Sequence, residues 1–547
     1  ASGQFAPATH EAIEIPAIWQ QAAKQDAEPT VLDDTIAAAF VKQCLASKDR
    51  AAVGDLMSGV LSYRRLLVGA MAMKRRFEQL DGEAVGLLLP ASVAADTSFF
   101  ALQMAGKLPV LLNWTTGPTA LRHAVDKLGI KKVITSHKFV DRMGIEVEGA
   151  EFVFLEDLRK SIGKVELFGL LAKTYLAGSS ILHALPRPSV DDVAVVLFTS
   201  GSESLPKAVP LTHGNLISNI KGGLPSMKFR TSDALLGFLP PFHSFGLTGN
   251  MLLAILSGIR VVHHPDPTDA AGLTRIIAAF RPSLLFSTPT FLSYILNADK
   301  ENAVSSLRIV VTGAEKCPAS LVERSRDAMP DATILEGYGI TECSPVVSIN
   351  QPERQKHGTI GLPLSNVQTC VVHADSLQPV GSNETGLLLV AGPSIFHGYL
   401  HYDGPSPFVE VDGQAWYNTG DLVAIDNDGF IHFKGRMKRF IKSGGEMISL
   451  PALEEPFLNH FPPTEDGPQI AVEGIETPGG RLIALFTTVQ IELKRANEIL
   501  TAAGFRGIMR IDEVRSIDSI PVLGTGKTDY KQLRSALQET TLDSSLA

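Results

Sequence analysis

Thr199-Ser-Gly-Ser-Glu-Ser-Leu-Pro-Lys207 follows an apolar, β-branched run, Val193-Ala-Val-Val-Leu-Phe198. The apolar run predicts a buried strand, and Leu211-Thr-His-Gly-Asn-Leu-Ile217 beyond the loop can open a helix. Small residues let backbone N–H groups approach a phosphate, hydroxyls donate to its oxygens, and a lysine adds a mobile positive charge. The stretch therefore predicts a phosphate-binding loop, with a plain Ser/Gly-rich turn as the alternative.

This loop is not of the Walker type. Residues 199–207 lack the G-x-x-x-x-G-K-[ST] spacing. Gly526-Lys527-Thr528 ends like that motif, but Pro521 stands where its first glycine is required. The sequence therefore argues against a P-loop NTPase.

Six further motifs follow the loop in a fixed order. They are Pro240-Pro-Phe-His-Ser-Phe-Gly-Leu247, Val311-Thr-Gly-Ala-Glu-Lys316, Glu336-Gly-Tyr-Gly-Ile-Thr-Glu342, Trp416-Tyr-Asn-Thr-Gly-Asp421, Gly435-Arg-Met-Lys-Arg439 and Pro521-Val-Leu-Gly-Thr-Gly-Lys527. Each motif alone is weak evidence, but the whole ordered series is specific. With it the chain resembles the adenylate-forming superfamily of acyl-CoA synthetases, luciferases and nonribosomal-peptide adenylation domains.

Within that superfamily the sequence is most similar to the acyl-ACP synthetase modules of bacterial bifunctional 2-acylglycerophosphoethanolamine acyltransferase/acyl-ACP synthetases. The segments that show this narrower resemblance are 335–350, 241–248 and 154–158. It implies a ligase of fatty acid and phospholipid metabolism. Such an enzyme uses ATP and Mg²⁺ to convert a long-chain fatty acid to acyl-AMP, then transfers the acyl group to the phosphopantetheine thiol of acyl carrier protein. Ligation to coenzyme A is the alternative.

The alternation of strand-like and helix-like runs from about 85 to 300 predicts an α/β fold with helix-covered parallel sheets. Short strands and turns from about 355 to 433 predict a small antiparallel barrel or sheet. The expected division is a large domain, 1–435, built of two helix-covered sheets and this β-rich part. A small mobile α+β domain, 436–547, follows it.

The resemblance assigns nucleotide contacts residue by residue. Thr199, Ser200, Gly201, Ser202 and Lys207 are expected at the β- and γ-phosphates. Glu203, Ser204 and Ala208 depart from the usual T-S-G-[ST]-T-G-x-P-K-G, which places the path of the loop in question. The remaining nucleotide-binding residues are expected to be Gly313, Ala314, Glu315, Glu336, Gly337, Tyr338, Asp421 and Arg436. Tyr338 would stack on adenine, Gly313–Glu315 would offer a close backbone edge, and Asp421 would accept the ribose hydroxyls.

Catalysis is assigned in the same way. Glu342 would hold Mg²⁺ and Thr341 would touch the α-phosphate. Lys527 would reach the carboxylate and the α-phosphate as negative charge develops. His243 would gate the acyl pocket. A purely structural role stays open for each of these residues. Glu342 would be an acid at a helix start, Tyr338 a core tyrosine, Lys527 a solvated lysine near the C-terminus and His243 a buried structural histidine.

The second half-reaction is expected to use a rotated small domain. Lys438 is the expected hinge, and Gly444 and Gly445 would leave room for a thin pantetheine arm. Arg439 and Lys442 could present basic charge to an acidic carrier protein.

Two other functions were compared with the ligase: a phospholipid acyltransferase and a noncatalytic carrier-binding module. His264-Pro-Asp-Pro-Thr-Asp269 matches the H-x-x-x-x-D spacing of phospholipid acyltransferases, although its two prolines favour coincidence. A noncatalytic carrier-binding module is disfavoured by the presence of both Lys527 and Glu342.

The composition limits the possible binding partners and the cellular compartment. A net charge of −9 disfavours nonspecific nucleic-acid binding, and four cysteines with no zinc-like spacing fit a reducing, cytoplasmic compartment. No signal-like segment is expected, the start at Ala1 predicts a processed or excised piece, and the resemblance implies that such a piece would come from a bifunctional protein. The uncharged run 234–259 predicts a buried strand-loop-helix rather than a membrane span. Residues 167–185 predict a surface helix packed on the core, or a lip that contacts the acyl chain or the inner face of the membrane. Phe168, Leu171, Tyr175, Leu182 and Leu185 are expected on one helical face.

Overall fold

The computed structural model describes residues 13–21, 26–199, 205–443, 446–464, 467–477, 480–523 and 527–546. Helices and strands alternate through the first part of the chain. They are α1 (Ala17–Gln20), α2 (Ile36–Ala46), β1 (Ala51–Asp55), β2 (Gly59–Ser62), α3 (Tyr63–Phe77), β3 (Ala84–Leu87), α4 (Val93–Met104), β4 (Leu108–Leu111), α5 (Pro118–Leu128), β5 (Lys132–Thr135), α6 (His137–Met143), β6 (Glu151–Phe154), α7 (Leu155–Lys160), α8 (Lys164–Leu176), α9 (Gly178–His183) and β7 (Val193–Phe198).

The alternation continues beyond the phosphate loop. The next elements are β8 (Ala208–Thr212), α10 (His213–Met227), β9 (Ala234–Gly237), α11 (Ala254–Ser257), β10 (Arg260–His263), α12 (Ala270–Phe280), β11 (Leu284–Ser287), α13 (Pro289–Ala298), β12 (Ile309–Thr312), α14 (Ala319–Ala328), β13 (Thr333–Gly339), β14 (Val346–Ile349) and β15 (Leu362–Pro363).

The last third of the chain is richer in strands. Its elements are β16 (Gln368–Val372), β17 (Gly386–Ala391), β18 (Phe408–Val411), β19 (Gln414–Ile425), β20 (Ile431–Arg436), β21 (Phe440–Ser443), β22 (Glu446–Ser449), α15 (Leu450–His460), β23 (Ile470–Thr477), β24 (Gly480–Thr487), α16 (Leu493–Ala502), β25 (Glu513–Ser516) and α17 (Tyr530–Leu546).

Two mainly parallel sheets form the body of the molecule. One has six strands in the order β6-β5-β3-β4-β7-β8, and the other has nine in the order β15-β14-β13-β12-β11-β9-β10-β1-β2. Strands β9, β11 and β12 are buried, mainly apolar runs, as expected when helices cover both faces of a parallel sheet. The predicted α/β class with two helix-covered sheets is confirmed.

The chain after the phosphate loop differs from the prediction. Where the sequence suggested a helix from Leu211, β8 runs antiparallel to β7 and α10 begins at His213. Thr212 caps that helix, because its hydroxyl accepts from Asn215 N–H while the Asn215 side chain accepts from Thr212 N–H. Apolar Val209 and Leu211 pair with the buried β7, which favours a strand up to the cap.

The uncharged run 234–259 is the predicted buried strand-loop-helix. It comprises β9, a turn, a π-helix over Phe245–Leu253 and α11, and its large apolar side chains are buried except for Phe245, which is partly buried. Within the described part of the chain, no helix is both long enough and apolar enough to cross a bilayer.

The β-rich part is an antiparallel sheet of five strands, β16 to β20, in which β19 lies at the centre. Beyond it, β21 pairs with β22, and β23, β24 and β25 form a separate sheet. Two hydrophobic clusters lie wholly within 441–537, whereas the main cluster runs from Val31 to Ile431. The residues after β20 thus build a core of their own.

The segment 167–185 forms two helices and not the single helix with one apolar face that the sequence predicted. Helix α8 ends at Leu176 and α9 begins at Gly178, so the predicted interruption at 178–180 is present. Phe168 and Tyr175 are exposed, whereas Leu185 is buried beyond the end of α9. The prediction that these side chains share one face is therefore wrong.

Candidate active site

The predicted phosphate loop leaves the buried strand β7 and returns through β8. Thr199 N–H donates to the Lys207 carbonyl at 3.0 Å, and Lys207 N–H donates to the Thr199 hydroxyl at 3.3 Å, so the two ends of the loop are fastened together. Ser200, Gly201 and Ser202 lie outside the described residues. The Lys207 ammonium rests over the rings of Tyr399 and Tyr402, 4.6 and 4.4 Å from their centroids.

The predicted ribose acid is held by two neighbouring strands. Asp421 on β19 pairs with Arg436 on β20, and Arg436 Nε lies 3.3 Å from Asp421 Oδ1. The Tyr338 hydroxyl, from the end of β13, donates to Asp421 Oδ2. Burial raises the pKa of Asp421, and the Arg436 charge and the Tyr338 hydroxyl oppose that rise. The structure thus brings these three predicted residues together.

Two further predicted segments lie at the ends of β12 and β13. The Gly313 backbone approaches that of Gly337, where an added Cβ would lie 3.3 Å from the Gly337 carbonyl oxygen. Ala314 has φ +72°, in the left-handed region. The Glu315 carboxylate accepts from the Thr290 hydroxyl at 2.7 Å, so its side chain is bonded to the first turn of α13. Burial raises the pKa of Glu315.

Glu336 is turned toward the loop that follows β14. Its Oε1 accepts from Gly358 N–H at 3.3 Å and lies 3.2 Å from His357 Nδ1. Burial raises the pKa of Glu336, and these two contacts oppose that rise. Its side chain is therefore occupied by protein partners, while the backbone of Glu336 and Gly337 continues the strand that ends at Tyr338.

The predicted metal ligand is a buried acid on a single turn after β13. Glu342 Oε1 accepts the Tyr399 hydroxyl at 2.7 Å, and Tyr417 hydrogen-bonds in turn to Tyr399. Thr341 lies 3.5 Å, oxygen to oxygen, from the Ser244 hydroxyl. Among the described residues no cluster of three or more metal-ligating side chains exists. One carboxylate fits Mg²⁺, which in nucleotide enzymes is bound by one or two carboxylates together with substrate phosphates.

Lys527 reaches this site from the far end of the chain. Its turn is closed by Leu523 N–H donating to the Lys527 carbonyl at 2.7 Å and by Asp529 N–H donating to the Pro521 carbonyl at 2.7 Å. Burial and the positive charge of Arg436 lower the pKa of Lys527 to about 8, against the opposing charges of Glu315 and Asp421. The lysine thus shares an electrostatic environment with predicted residues of the large domain.

His243 lies at the start of the π-helix, next to Phe242. Its Nε2 is buried without a hydrogen-bond partner among the described residues. Burial and the nearby Lys527 charge lower the pKa of His243 to about 3, so the imidazole is neutral at physiological pH. An unpaired buried nitrogen beside Lys527 is suited to a polar substrate group.

The small domain also contacts the large one outside this cluster. Lys316 Nζ lies 2.6 Å from Glu455 Oε2 on α15, and the Ser293 hydroxyl donates to the Pro463 carbonyl at 3.5 Å. Lys438 lies in a one-turn helix, Met437–Arg439, between β20 and β21, and its role as a hinge stays a prediction. Gly444 and Gly445 fall outside the described residues.

Arg439 does not present its charge to a partner. Its guanidinium donates to the Val472 carbonyl at 2.7 Å and to Glu454 Oε2 at 3.2 Å, and it lies under the Tyr530 ring, 3.5 Å from the centroid. The expectation that Arg439 helps to dock a carrier protein is therefore wrong, because the side chain is bonded inside the small domain. Lys442 has no described side chain.

The acyltransferase-like spacing has a structural role. Asp269 caps α12 by accepting from Gly272 N–H at 2.8 Å, and His264 Nε2 lies 3.3 Å from the same carboxylate. His264 Nδ1 contacts the Asp266 backbone. Both ring nitrogens and the carboxylate are thus engaged in fastening a helix start.

Two residues of the site were missed from the sequence. Tyr399 joins Lys207 to Glu342, since its ring faces the ammonium and its hydroxyl reaches the carboxylate. Tyr402 adds the second ring. The only signal was a pair of tyrosines three residues apart after Gly398, which is equally typical of a packed turn.

The family model for AMP-binding enzymes matches residues 40–400. This chain belongs to the AMP-binding enzyme family. Its relatives include 4-coumarate-CoA ligase 1 of Narcissus pseudonarcissus, 26% identical over 473 residues, which cover 84% of each chain. Long-chain-fatty-acid–CoA ligase of Salmonella typhimurium is 24% identical over 514 residues, covering 87% of this chain and 90% of that one.

Among solved structures, o-succinylbenzoate coenzyme A synthetase of Bacillus subtilis, in complex with ATP and magnesium ion, superposes with a TM-score of 0.76. It is 20% identical and the match covers 91% of this chain and 99% of that one. At 20% identity this structural similarity supports the assignment of the fold and nothing beyond it. Family membership makes the chain an adenylate-forming ligase, and its thiol acceptor is a separate question.

The tyrosine link gives a first prediction. In Tyr399→Phe the ring over Lys207 remains, but Glu342 loses the hydroxyl that orients its carboxylate. We expect the Mg²⁺ concentration for half-maximal adenylation to rise roughly tenfold, since a hydrogen bond to a charged group contributes about 1.5–3 kcal/mol. Magnesium titrations of pyrophosphate exchange measure this. Tyr402→Phe is the matched control and should leave the titration unchanged; an equal shift in both variants would contradict a specific role for the Tyr399 hydroxyl.

Proposed function

We propose that this AMP-binding enzyme activates a long-chain fatty acid to acyl-AMP with ATP and Mg²⁺, and then transfers the acyl group to the phosphopantetheine thiol of acyl carrier protein. The observation that carries the first step is the convergence of Lys527 with His243, Glu315, Asp421 and Arg436. Lys527, His243 and Glu315 come from distant parts of the sequence.

In the first step a carboxylate oxygen bonds to the α-phosphorus of ATP, and the bond from that phosphorus to pyrophosphate breaks. Positioning and charge neutralisation are the main requirements of such a transfer. Lys527 supplies positive charge to the carboxylate and the α-phosphate, and the Thr341 hydroxyl donates a hydrogen bond to the α-phosphate. His243, neutral and with Nε2 unpaired, accepts or donates one hydrogen bond at the carboxylate without adding charge.

The nucleotide is held by groups on the large domain. Asp421 accepts hydrogen bonds from the ribose hydroxyls and Tyr338 stacks on adenine. Lys207, whose ammonium lies over the Tyr399 ring, neutralises charge on the β- and γ-phosphates. Glu342 is the residue that would hold Mg²⁺, which offsets phosphate charge when bound.

In the second step the thiol gives up its proton to solvent and attacks the acyl carbonyl, the thioester forms, and AMP leaves with the electron pair of the broken acyl–phosphate bond. The proposed rotation at Lys438 withdraws Lys527 and brings 443–446 toward the site. This rotation would separate Lys316 from Glu455, a contact that belongs to the arrangement described above.

The acceptor is supported by different observations. The similarity of residues 335–350 and 241–248 to acyl-ACP synthetases favours carrier protein. Coenzyme A is the second candidate, because the relatives at 24–26% identity carry the names of CoA ligases.

A thioester assay separates the two. Palmitate, ATP and Mg²⁺ are supplied with either holo-acyl carrier protein or coenzyme A at equal concentration, and the products are identified by mass. Faster formation of acylated carrier protein is expected. Turnover with coenzyme A alone would replace the proposal with an ordinary acyl-CoA ligase.

A further inference from the structure

Helix α8 exposes an apolar face to solvent. Of the fifteen large apolar side chains that are exposed among the described residues, five belong to this thirteen-residue helix: Val165, Leu167, Phe168, Tyr175 and Leu176. Val165 and Leu176 are each 87% exposed and Phe168 is 74% exposed. Their spacing places Val165, Phe168, Ala172 and Leu176 on one side of the helix. A contiguous apolar face of this kind marks an interaction site.

The opposite side of α8 is firmly attached to the protein. Leu170 and Thr174 are buried in the contact with α3. Glu166 forms ion pairs with Arg75 and Arg76, at 3.1 and 2.5 Å, and the Arg64 guanidinium lies 3.6 Å from the Tyr175 ring centroid. The exposed face is therefore held outward by contacts at both ends of the helix.

The exposed charged side chains on α8 and on the helix packed against it are mainly basic. Lys164 and Lys173 lie on α8, whose only acid is Glu166, and the exposed Arg65 and Arg75 lie on α3, which contacts α8. The one acid, Glu166, is already paired with two arginines. Among the described residues Arg159, Lys164 and Lys173 form no ion pair, whereas Lys160 pairs with Asp157 at 2.9 Å.

We propose that the outer face of α8 binds the surface of an anionic lipid bilayer, with the helix lying in the interface. Apolar side chains on one side and basic side chains around them are the features that attach a helix to such a surface. A second copy of this chain would place like charges of both α8 regions together, which disfavours that occupant. The proposal is independent of the proposed reaction, because α8 supplies none of the residues assigned to the nucleotide or to catalysis.

The test is cosedimentation with vesicles of phosphatidylglycerol and phosphatidylethanolamine, compared with vesicles of phosphatidylcholine. The protein should bind the anionic vesicles, and binding should weaken as salt rises. The double variant Phe168→Glu/Leu176→Glu should lose at least about tenfold in partitioning, because charge replaces apolar surface at the interface. Leu493→Glu/Met143→Glu, a matched change at exposed apolar positions elsewhere, should bind as the parent does.

A reporter variant locates the contact. The natural tryptophans lie at 19, 114 and 416, so Phe168→Trp adds one on α8. Its emission should shift to the blue with anionic vesicles and stay unchanged with phosphatidylcholine. Equal loss of binding in both double variants, or no spectral shift in a protein that sediments with vesicles, would overturn the proposal. Failure to bind vesicles together with dimerisation that Phe168→Glu abolishes would assign the face to a second copy instead.

Discussion

Replacing Lys527 with alanine is expected to abolish adenylate formation and to leave the thioester step largely intact. The residue is the positive group brought from the small domain to the neighbourhood of His243, Asp421 and Glu315. Removal of a preorganised group that stabilises developing charge costs roughly 10²–10³-fold in rate. Pyrophosphate exchange measures the first step, and thioester formation from supplied acyl-adenylate measures the second.

Lys531→Ala is the control for this change. Lys531 is exposed on α17, four residues further along the chain, and should tolerate the substitution in both assays. Equal loss of both half-reactions in Lys527→Ala would contradict the assignment of Lys527 to adenylation, because a residue needed only for adenylation cannot limit a step that starts from the adenylate.

The same lysine predicts a pH dependence. Burial and Arg436 lower the pKa of Lys527 to about 8, so the amine is protonated below that pH and neutral above it. Since the charged form is the one that stabilises the phosphate, kcat/KM for adenylation should fall as pH rises through about 8. This quantity reports the free enzyme. A profile that stays flat to pH 10 would contradict the role.

The second large effect concerns the stability of the small domain. Arg439→Met removes the partner of two buried carboxylates, Glu454 and Glu473, which are almost inaccessible. Burial already raises the pKa of Glu473, against the charges of Arg439 and Arg534. Breaking a buried pair in this way costs about 3–5 kcal/mol. We expect the midpoint of denaturation of the small domain to fall and adenylation to be lost with it, since Lys527 belongs to that domain.

Two further variants keep the interpretation of Arg439 open to test. Arg495→Met removes an exposed arginine on α16 and should leave the stability unchanged, because exposed ion pairs contribute little. Adding Glu454→Gln to Arg439→Met should recover part of the loss. If Arg439→Met unfolds no more readily than Arg495→Met and only raises KM for carrier protein, the arginine docks a partner after all.

The fold was predictable where the local pattern and the tertiary environment agree. The apolar run at 193–198 is a strand with the expected bounds, because strands covered on both faces need continuous apolar side chains. The strand Ala208–Thr212 was missed because its pairing with β7 is long-range and its sequence also suits a helix start. Antiparallel return strands of this kind are set by the partner and not by the segment alone.

The site was predictable as far as its motifs reached. Tyr338, Asp421 and Arg436 were expected together and are in contact. Tyr399 was missed because its role depends on the position of both Lys207 and Glu342, which no spacing in the sequence reveals. Arg439 was misjudged for a related reason: a basic residue in a charged stretch suggests a solvated face, whereas two distant acids, Glu454 and Glu473, bury it.

The most direct test of adenylate formation is exchange of labelled pyrophosphate into ATP, measured without any thiol. The account predicts exchange that requires both a long-chain fatty acid and Mg²⁺ and that disappears in Lys527→Ala. The thiol acceptor plays no part in this assay, so it tests the first step alone. Folded protein that shows no exchange with any fatty acid, or that releases ADP and phosphate instead, would contradict the proposed function.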